Sequence, residues 1–244
     1  MSDQRLLIII PCYKEAANLI STLPRICRYL TRHGINCDVL IVEGEKVDGT
    51  AAIVKQNQKQ YKFLKLIQTH KGKGHQVKIG LEFGNYRQYL FMDADLATPL
   101  KYIPQFIVEA AKTDNLGLIS GVRIRRQGNL LRKTVSTVLN ILLRWGLGLK
   151  QTDTQCGFKL ISRELRDIVV QKQLTQNWVF DVEYFMAAHQ NDLTVINVPI
   201  PDWKNDYTSA TLNTVPKFMK SSLSSGFELT AIICRAWSGW YKVN

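Results

Sequence analysis

The sequence predicts an α/β fold: a mostly parallel sheet with helices on both faces and an irregular C-terminal half. Three observations predict it. Continuous apolar runs alternate with segments of helical periodicity from residue 5 to residue 120. The first run, Arg5 to Ile10 (RLLIII), has no polar residue after the arginine and closes at Pro11, which suits a strand buried on both faces. Polar segments (CYKE, EGEKVDG, HKGKG, DADLAT) follow the runs, at the carboxyl ends of strands where open α/β sheets bind ligands.

The elements follow in order. Residues 16 to 32 carry Leu19, Leu23, Ile26, Cys27 and Leu30 at helical spacing, with Pro24 at a kink or a helix start. Asp38 to Val42 is a second strand, followed by a helix from about Asp48. Phe63 to Gln68 is a third, followed by a helix from about Gly74. Gln88 to Met92 is a fourth, followed by a helix after Pro99, and Leu116 to Ser120 is a fifth. Residues 130 to 149 read as a basic, apolar-rich helix. Asp153 to Leu160 (DTQCGFKL) reads as a loop leading into a strand, and Val179 to Gln190 as a helix. Leu193 to Val198 alternates like an edge strand, and Val215 to Tyr241 reads as a helical tail.

The chain has 244 residues, enough for one large domain or a core with a small appendage. With 45% apolar and 21% charged residues it is neither disordered nor fibrous. The net charge of +12 predicts an anionic partner: nucleic acid, an anionic membrane or a phosphorylated substrate. No acid lies between Asp114 and Asp153, while Arg123, Arg125, Arg126, Arg132, Lys133, Arg144 and Lys150 do. The five cysteines form no CxxC pair, zinc spacing or disulfide framework, so a reducing cytosol is expected. A strand begins too early for a signal peptide. No uncharged apolar run approaches the roughly 18 residues of a membrane span.

Three motifs carry chemistry. MDADLATP (Met92 to Pro99) sets two carboxylates one residue apart at a strand end, where they can share Mg2+ or Mn2+ and its diphosphate; the alternative is a solvated turn. HKGKGHQVKIG (His70 to Gly80) puts glycines with Lys71 and Lys73 at a helix start, suited to phosphate or simply a basic helix entrance. WVFDVEYF (Trp178 to Phe185) holds Asp181 and Glu183 at a helix start, as functional acids or as acids favoured by the helix dipole.

The order IIIPCYKEAANL, VDGTAAIV, HKGKGHQVKIG, FMDADLATP, SGVRIRR, DTQCGFKL and WVFDVEYF resembles the family-2 glycosyltransferases with a GT-A fold. Within them it is similar to the dolichyl- and polyprenyl-phosphate hexosyltransferases, the glucosyl branch more than the mannosyl. The resemblance implies a GT-A domain over residues 1–205 and a helical tail over 206–244 that could lie against a membrane. It implies that Pro11, Tyr13, Glu15, Glu43, Asp48, Lys73 and Asp93 meet the donor, and that Asp93 and Asp95 hold the metal. Asp95, Asp181 and Arg123 are the implied catalytic residues. Arg132, Gln155, Gly157, Phe158, Glu183 and Trp203 are implied on the acceptor side. There are departures. Lys14 stands where the family has Asn, Glu43 and Gly44 replace two aspartates, with Glu45 a substitute, and Ala97 replaces a mannosyl-branch Gln. Thr208, Ser209 and Ala210 replace Gly-Ser-Lys.

The expected activity is metal-dependent, inverting transfer of a hexose from a nucleotide diphosphate sugar to a polyprenyl or dolichyl phosphate. UDP-glucose is the favoured donor and GDP-mannose the other. The expected place is the cytosolic, inner face of a membrane, held peripherally by its anionic surface. Two rivals stand beside it. One is a transferase acting on diacylglycerol or a surface polysaccharide. The other is an inactive nucleotide-sugar binder or a nucleic-acid-binding protein. No nucleic-acid partner is expected, because no recognition motif accompanies the charge.

Overall fold

The computed structural model of the chain describes residues 3–45, 48–124, 153–204 and 215–243. The expected basic helix over 130–149, with Arg132, lies outside the described residues, as do residues 208–210.

The elements run β1 (Asp3–Cys12), α1 (Ala16–Arg32), β2 (Cys37–Gly44), α2 (Thr50–Gln58), β3 (Leu64–Thr69), α3 (Lys73–Glu82) and β4 (Tyr86–Met92). They continue with α4 (Tyr102–Lys112), β5 (Leu116–Arg123), β6 (Phe158–Ser162), α5 (Arg163–Lys172), α6 (Phe180–Gln190), β7 (Thr194–Ile200) and α7 (Val215–Trp237). The strand order is β3-β2-β1-β4-β6-β5-β7. Among the described strands only β6 runs antiparallel to its neighbours, β4 and β5. The carboxyl ends of β1, β2 and β4 therefore share one edge of the sheet.

Burial on both faces explains the unbroken apolar runs. Leu6, Ile8 and Ile10 of β1 join a core with α1, α2 and α4. Leu7 and Ile9 join a second core with α3, α5, α6 and α7. β7 closes the sheet as an edge, in keeping with its alternation. Pro24 lies inside α1 rather than at a boundary. The carbonyl its ring leaves unbonded belongs to the exposed residue Ile20, on the side facing water.

One described element, α5, has no counterpart in the sequence reading. Its signal is local: the Ser162 hydroxyl accepts the Leu165 amide at 3.2 Å, and Glu164 follows in the first turn. The end of the tail packs on the second core through Leu229, Ile232, Ala236 and Tyr241, while Phe227 and Trp237 face outward. Among the described residues no helix is long and apolar enough to cross a membrane.

Candidate active site

The site forms where β1 and β4 end. Asp93 follows β4, and its amide donates to the Gly157 carbonyl at 3.2 Å. Its Oδ1 accepts from Lys73 Nζ at 2.6 Å, while 35% of its side chain stays exposed. Asp95 Oδ1 accepts the Ala97 amide at 2.9 Å, which turns the motif back on itself. Glu15, before α1, accepts from Asn18 Nδ2 at 2.6 Å. Burial raises the Glu15 carboxyl, Asn18 lowers it, and Asp95 and Asp93 raise it further, so the acids are near enough to repel. Burial alone would pull the Lys73 ammonium down, but Asp93, with Asp181 and Asp95 beyond it, holds it above its ordinary value. The exposed Trp178 ring covers Lys73 at 5.4 Å.

Among the described residues no group of three or more His, Cys, Asp or Glu makes a complete metal cage. Asp93 and Asp95 supply two hard oxygen donors, and Mg2+ or Mn2+ held by so few carboxylates completes its shell with water and phosphate oxygens.

Gly157 is what lets Asp93 sit there. A methyl group at Gly157 would lie 1.9 Å from Asp93 Oδ2. Gln155 is exposed beside it. Phe158 departs from the expected acceptor wall. It is fully buried and meets Phe106 edge-on at 4.8 Å, because strand alternation turns it into the core.

The two acids of α6 separate. Asp181 Oδ2 accepts from Lys159 Nζ at 3.0 Å, and both side chains are buried. Asp181 Oδ1 is buried without a hydrogen-bond partner. Burial raises the Asp181 carboxyl, and Lys159 and then Lys73 oppose it. Glu183 lies elsewhere, against expectation. Its carboxylate accepts the Leu174 and Thr175 amides, the Tyr241 hydroxyl at 2.9 Å and Arg235 at 3.1 Å. Those internal donors consume it, and it ties the tail to the body rather than facing an acceptor.

Of the residues expected to meet the donor, Pro11 and Tyr13 are half-buried at the end of β1. Lys14 sits at φ 58°, a left-handed conformation that Asn adopts more readily than Lys. Asp48 accepts the Ala16 amide at 2.9 Å and the Thr50 hydroxyl at 2.8 Å. Burial opposes its charge, yet these bonds hold the carboxyl below its ordinary value. Glu43 departs from the expected donor set: it is 2% exposed and accepts from Gln68 Nε2 at 2.5 Å. Glu45 is half-buried, 3.5 Å from Lys71. The α3 start departs as well. The Gly74 and His75 amides donate to the Asn177 and Gln176 carbonyls at 3.1 and 3.0 Å, so neither is left for phosphate. Gly74 permits that cover, since a methyl group there would meet Phe180 Cβ at 2.6 Å.

Arg123 forms a two-bond fork with Asp153, 2.7 Å on each arm, and lies 5.2 Å from the Trp203 ring. Asp153 is itself buried. Burial opposes the Arg123 charge, but Asp153 more than offsets it. Sequence reasoning passed over both Asp153 and Lys159. The available signals were an acid ending the basic stretch and a lysine among strand residues of DTQCGFKL.

The sequence pattern described as Glycosyl transferase family 2 matches residues 7–169, which span β1 to α5 and the acids of the site except Asp181. The chain belongs to that family, and it is a glycosyltransferase. It is 28% identical to a dolichyl-phosphate β-glucosyltransferase of Dictyostelium discoideum, over 97% of this chain and 76% of the relative. A Trichomonas vaginalis protein of the same description is 27% identical over 80% of this chain, and only 62% of that relative is covered. The fold matches glucosyl-3-phosphoglycerate synthase from Mycobacterium tuberculosis, solved with Mn2+, UDP and glucosyl-3-phosphoglycerate. The TM-score is 0.70 at 12% identity, over 94% of this chain and 80% of that one. It also matches mannosyl-3-phosphoglycerate synthase from Rubrobacter xylanophilus, with a TM-score of 0.68 at 12% identity over 95% of this chain and 74% of that one. The transferase thus has the GT-A fold of those enzymes.

Proposed function

We propose that this transferase moves a hexose, glucose first, from a nucleotide diphosphate sugar to a polyprenyl or dolichyl phosphate. The observation that carries the reading is the Lys73–Asp93 contact beside Asp95 at the end of β4. It gathers one cation and two hard-oxygen acids where a diphosphate must be held. The relatives' names support glucose and the lipid phosphate. UDP-glucose is the favoured donor and GDP-mannose the second.

Asp93 and Asp95 fit a divalent cation, because both are partly exposed carboxylates at a strand end. A Mg2+ or Mn2+ held there would supply Lewis-acid neutralisation of the leaving diphosphate. Lys73 adds fixed positive charge on the same side. The acceptor phosphate is already an anion and attacks with inversion, so no side chain need remove a proton from it. Asp181 then orients the sugar or acceptor. Arg123, stacked on Trp203 and backed by Asp153, faces the acceptor phosphate, and Arg132 of the basic stretch is the second cation proposed for it. Residues 1–205 are the proposed catalytic domain and 206–244 the proposed tail, set against the inner, cytosolic membrane face, where the basic stretch after Asp114 would add roughly 1 kcal/mol per cation near anionic lipid.

A thermal-shift panel of UDP-, GDP- and dTDP-sugars with Mn2+ tests donor choice, since a ligand that binds only the folded state raises its unfolding midpoint. UDP-glucose should give the largest shift. In a transfer assay with dolichyl phosphate, chelation should stop turnover. Asp95→Ala should cut it by roughly 10²–10³-fold with an unchanged unfolding midpoint. Full turnover by that variant would sink the reading.

A further inference from the structure

Lys159 is the one charged group on β6 that faces neither water nor the open site. It is 0% exposed. A buried ammonium is costly unless it is paired and hydrogen-bonded. Here one proton goes to the Cys156 carbonyl at 2.5 Å and one to Asp181 Oδ2 at 3.0 Å. The rings of Phe91 and Phe185 flank it at 5.3 and 5.9 Å, a setting that favours a cation. Every contact is thus suited to a fixed positive charge.

Two of those contacts lead to the site. Cys156 precedes Gly157, whose carbonyl accepts the Asp93 amide and whose missing side chain makes room for the Asp93 carboxylate. Asp181 offers Oδ1, which is buried and has no hydrogen-bond partner. An unsatisfied buried acceptor costs free energy until a donor completes it. We propose that Lys159 is a positioning residue: it fixes Asp181 by one oxygen and reserves the other for a hydroxyl of the incoming substrate. Hydrophobic burial does not explain a lysine here, since a leucine or methionine would fill the same slot without the desolvation cost.

The inference rests on the transferase reading, and the test separates the two. Lys159→Met keeps the length and removes the charge. Asp181→Asn removes the charge of the partner, and the double variant leaves no unpaired charge in the slot. Turnover is measured with whichever nucleotide sugar the natural protein uses fastest, by release of nucleotide diphosphate, so the choice of glucose is not at stake. Lys159→Met should lower kcat by roughly 100-fold and change the donor KM by less than about threefold. The double variant should be no slower than Asp181→Asn alone, because the lysine acts through the aspartate. Additive losses in the double variant would mean that the lysine acts apart from Asp181, and that result would overturn the proposal. So would wild-type kcat in Lys159→Met. If Lys159→Met does not fold, the comparison of the double variant with Asp181→Asn decides: equal rates support the proposal and a further tenfold loss overturns it. Absence of turnover by the natural protein with any nucleotide sugar would overturn the transferase reading and this inference with it.

Discussion

At Gly157 a single missing methyl group decides whether Asp93 can occupy its place. The clash of 1.9 Å that a methyl would create is with a carboxylate held on its other oxygen by Lys73. Asp93 therefore cannot yield without breaking that pair. Gly157→Ala is expected to cost about 1–3 kcal/mol of stability through overpacking. Displacing the carboxylate should cut turnover by about 100-fold. Thermal unfolding and initial rates check both, and a variant with natural turnover would show that Asp93 is free to move. The motif containing Gly157 was legible as a block of residues. Its reason was not, since the clash is with a residue 64 positions earlier in the chain. Phe158 shows the same limit: the next residue along the strand points the other way, into the core.

Helix α6 shows how an element sorts side chains that a motif groups together. Asp181 and Glu183 are two residues apart, so about 200° of helical rotation separates them. Asp181 turns to β6 and Lys159, while Glu183 turns to the 174–175 segment and the tail. Glu183 there accepts from Tyr241 and Arg235, which fastens the end of α7 and the residues after it. Tyr241→Phe should lower stability by about 1–2 kcal/mol and leave the rate at 25 °C unchanged. Hydrogen exchange should quicken in α7 before the sheet, and equal protection in both proteins would refute the latch. The helix itself was legible from its apolar residues. The division of labour between its acids was not, because it depends on which surfaces pack against each side.

Across the whole molecule, burial on both faces of the sheet governs thiol chemistry. Cys12, Cys27, Cys37 and Cys156 are buried, and Cys234 is exposed. Burial pushes Cys27 and Cys37 up to about 12 and Cys156 to about 11, and it raises Cys12 well above its ordinary value. Thiolates react and thiols do not, so the native protein at pH 8 should show one fast thiol in a colorimetric titration and all five after denaturation. Two or more fast native thiols would mean that a core opens far more often than this packing allows.

Strand and helix periods, the apolar runs and the order of the motifs were written in the chain, because they reflect local spacing and burial of whole faces. They made the parallel sheet, its ligand edge and the family resemblance readable in advance. The antiparallel direction of β6, the withdrawal of Glu43 and Glu183 from the site, the covered α3 amides, and the Lys159–Asp181 and Arg123–Asp153 pairs were not readable. Each depends on groups 8 to 103 residues apart meeting in space, or on the side of an element that a neighbour covers. Only the packed fold sets those meetings, since the free energy of a buried charge or an occupied amide depends on what lies across from it and not on its sequence neighbours.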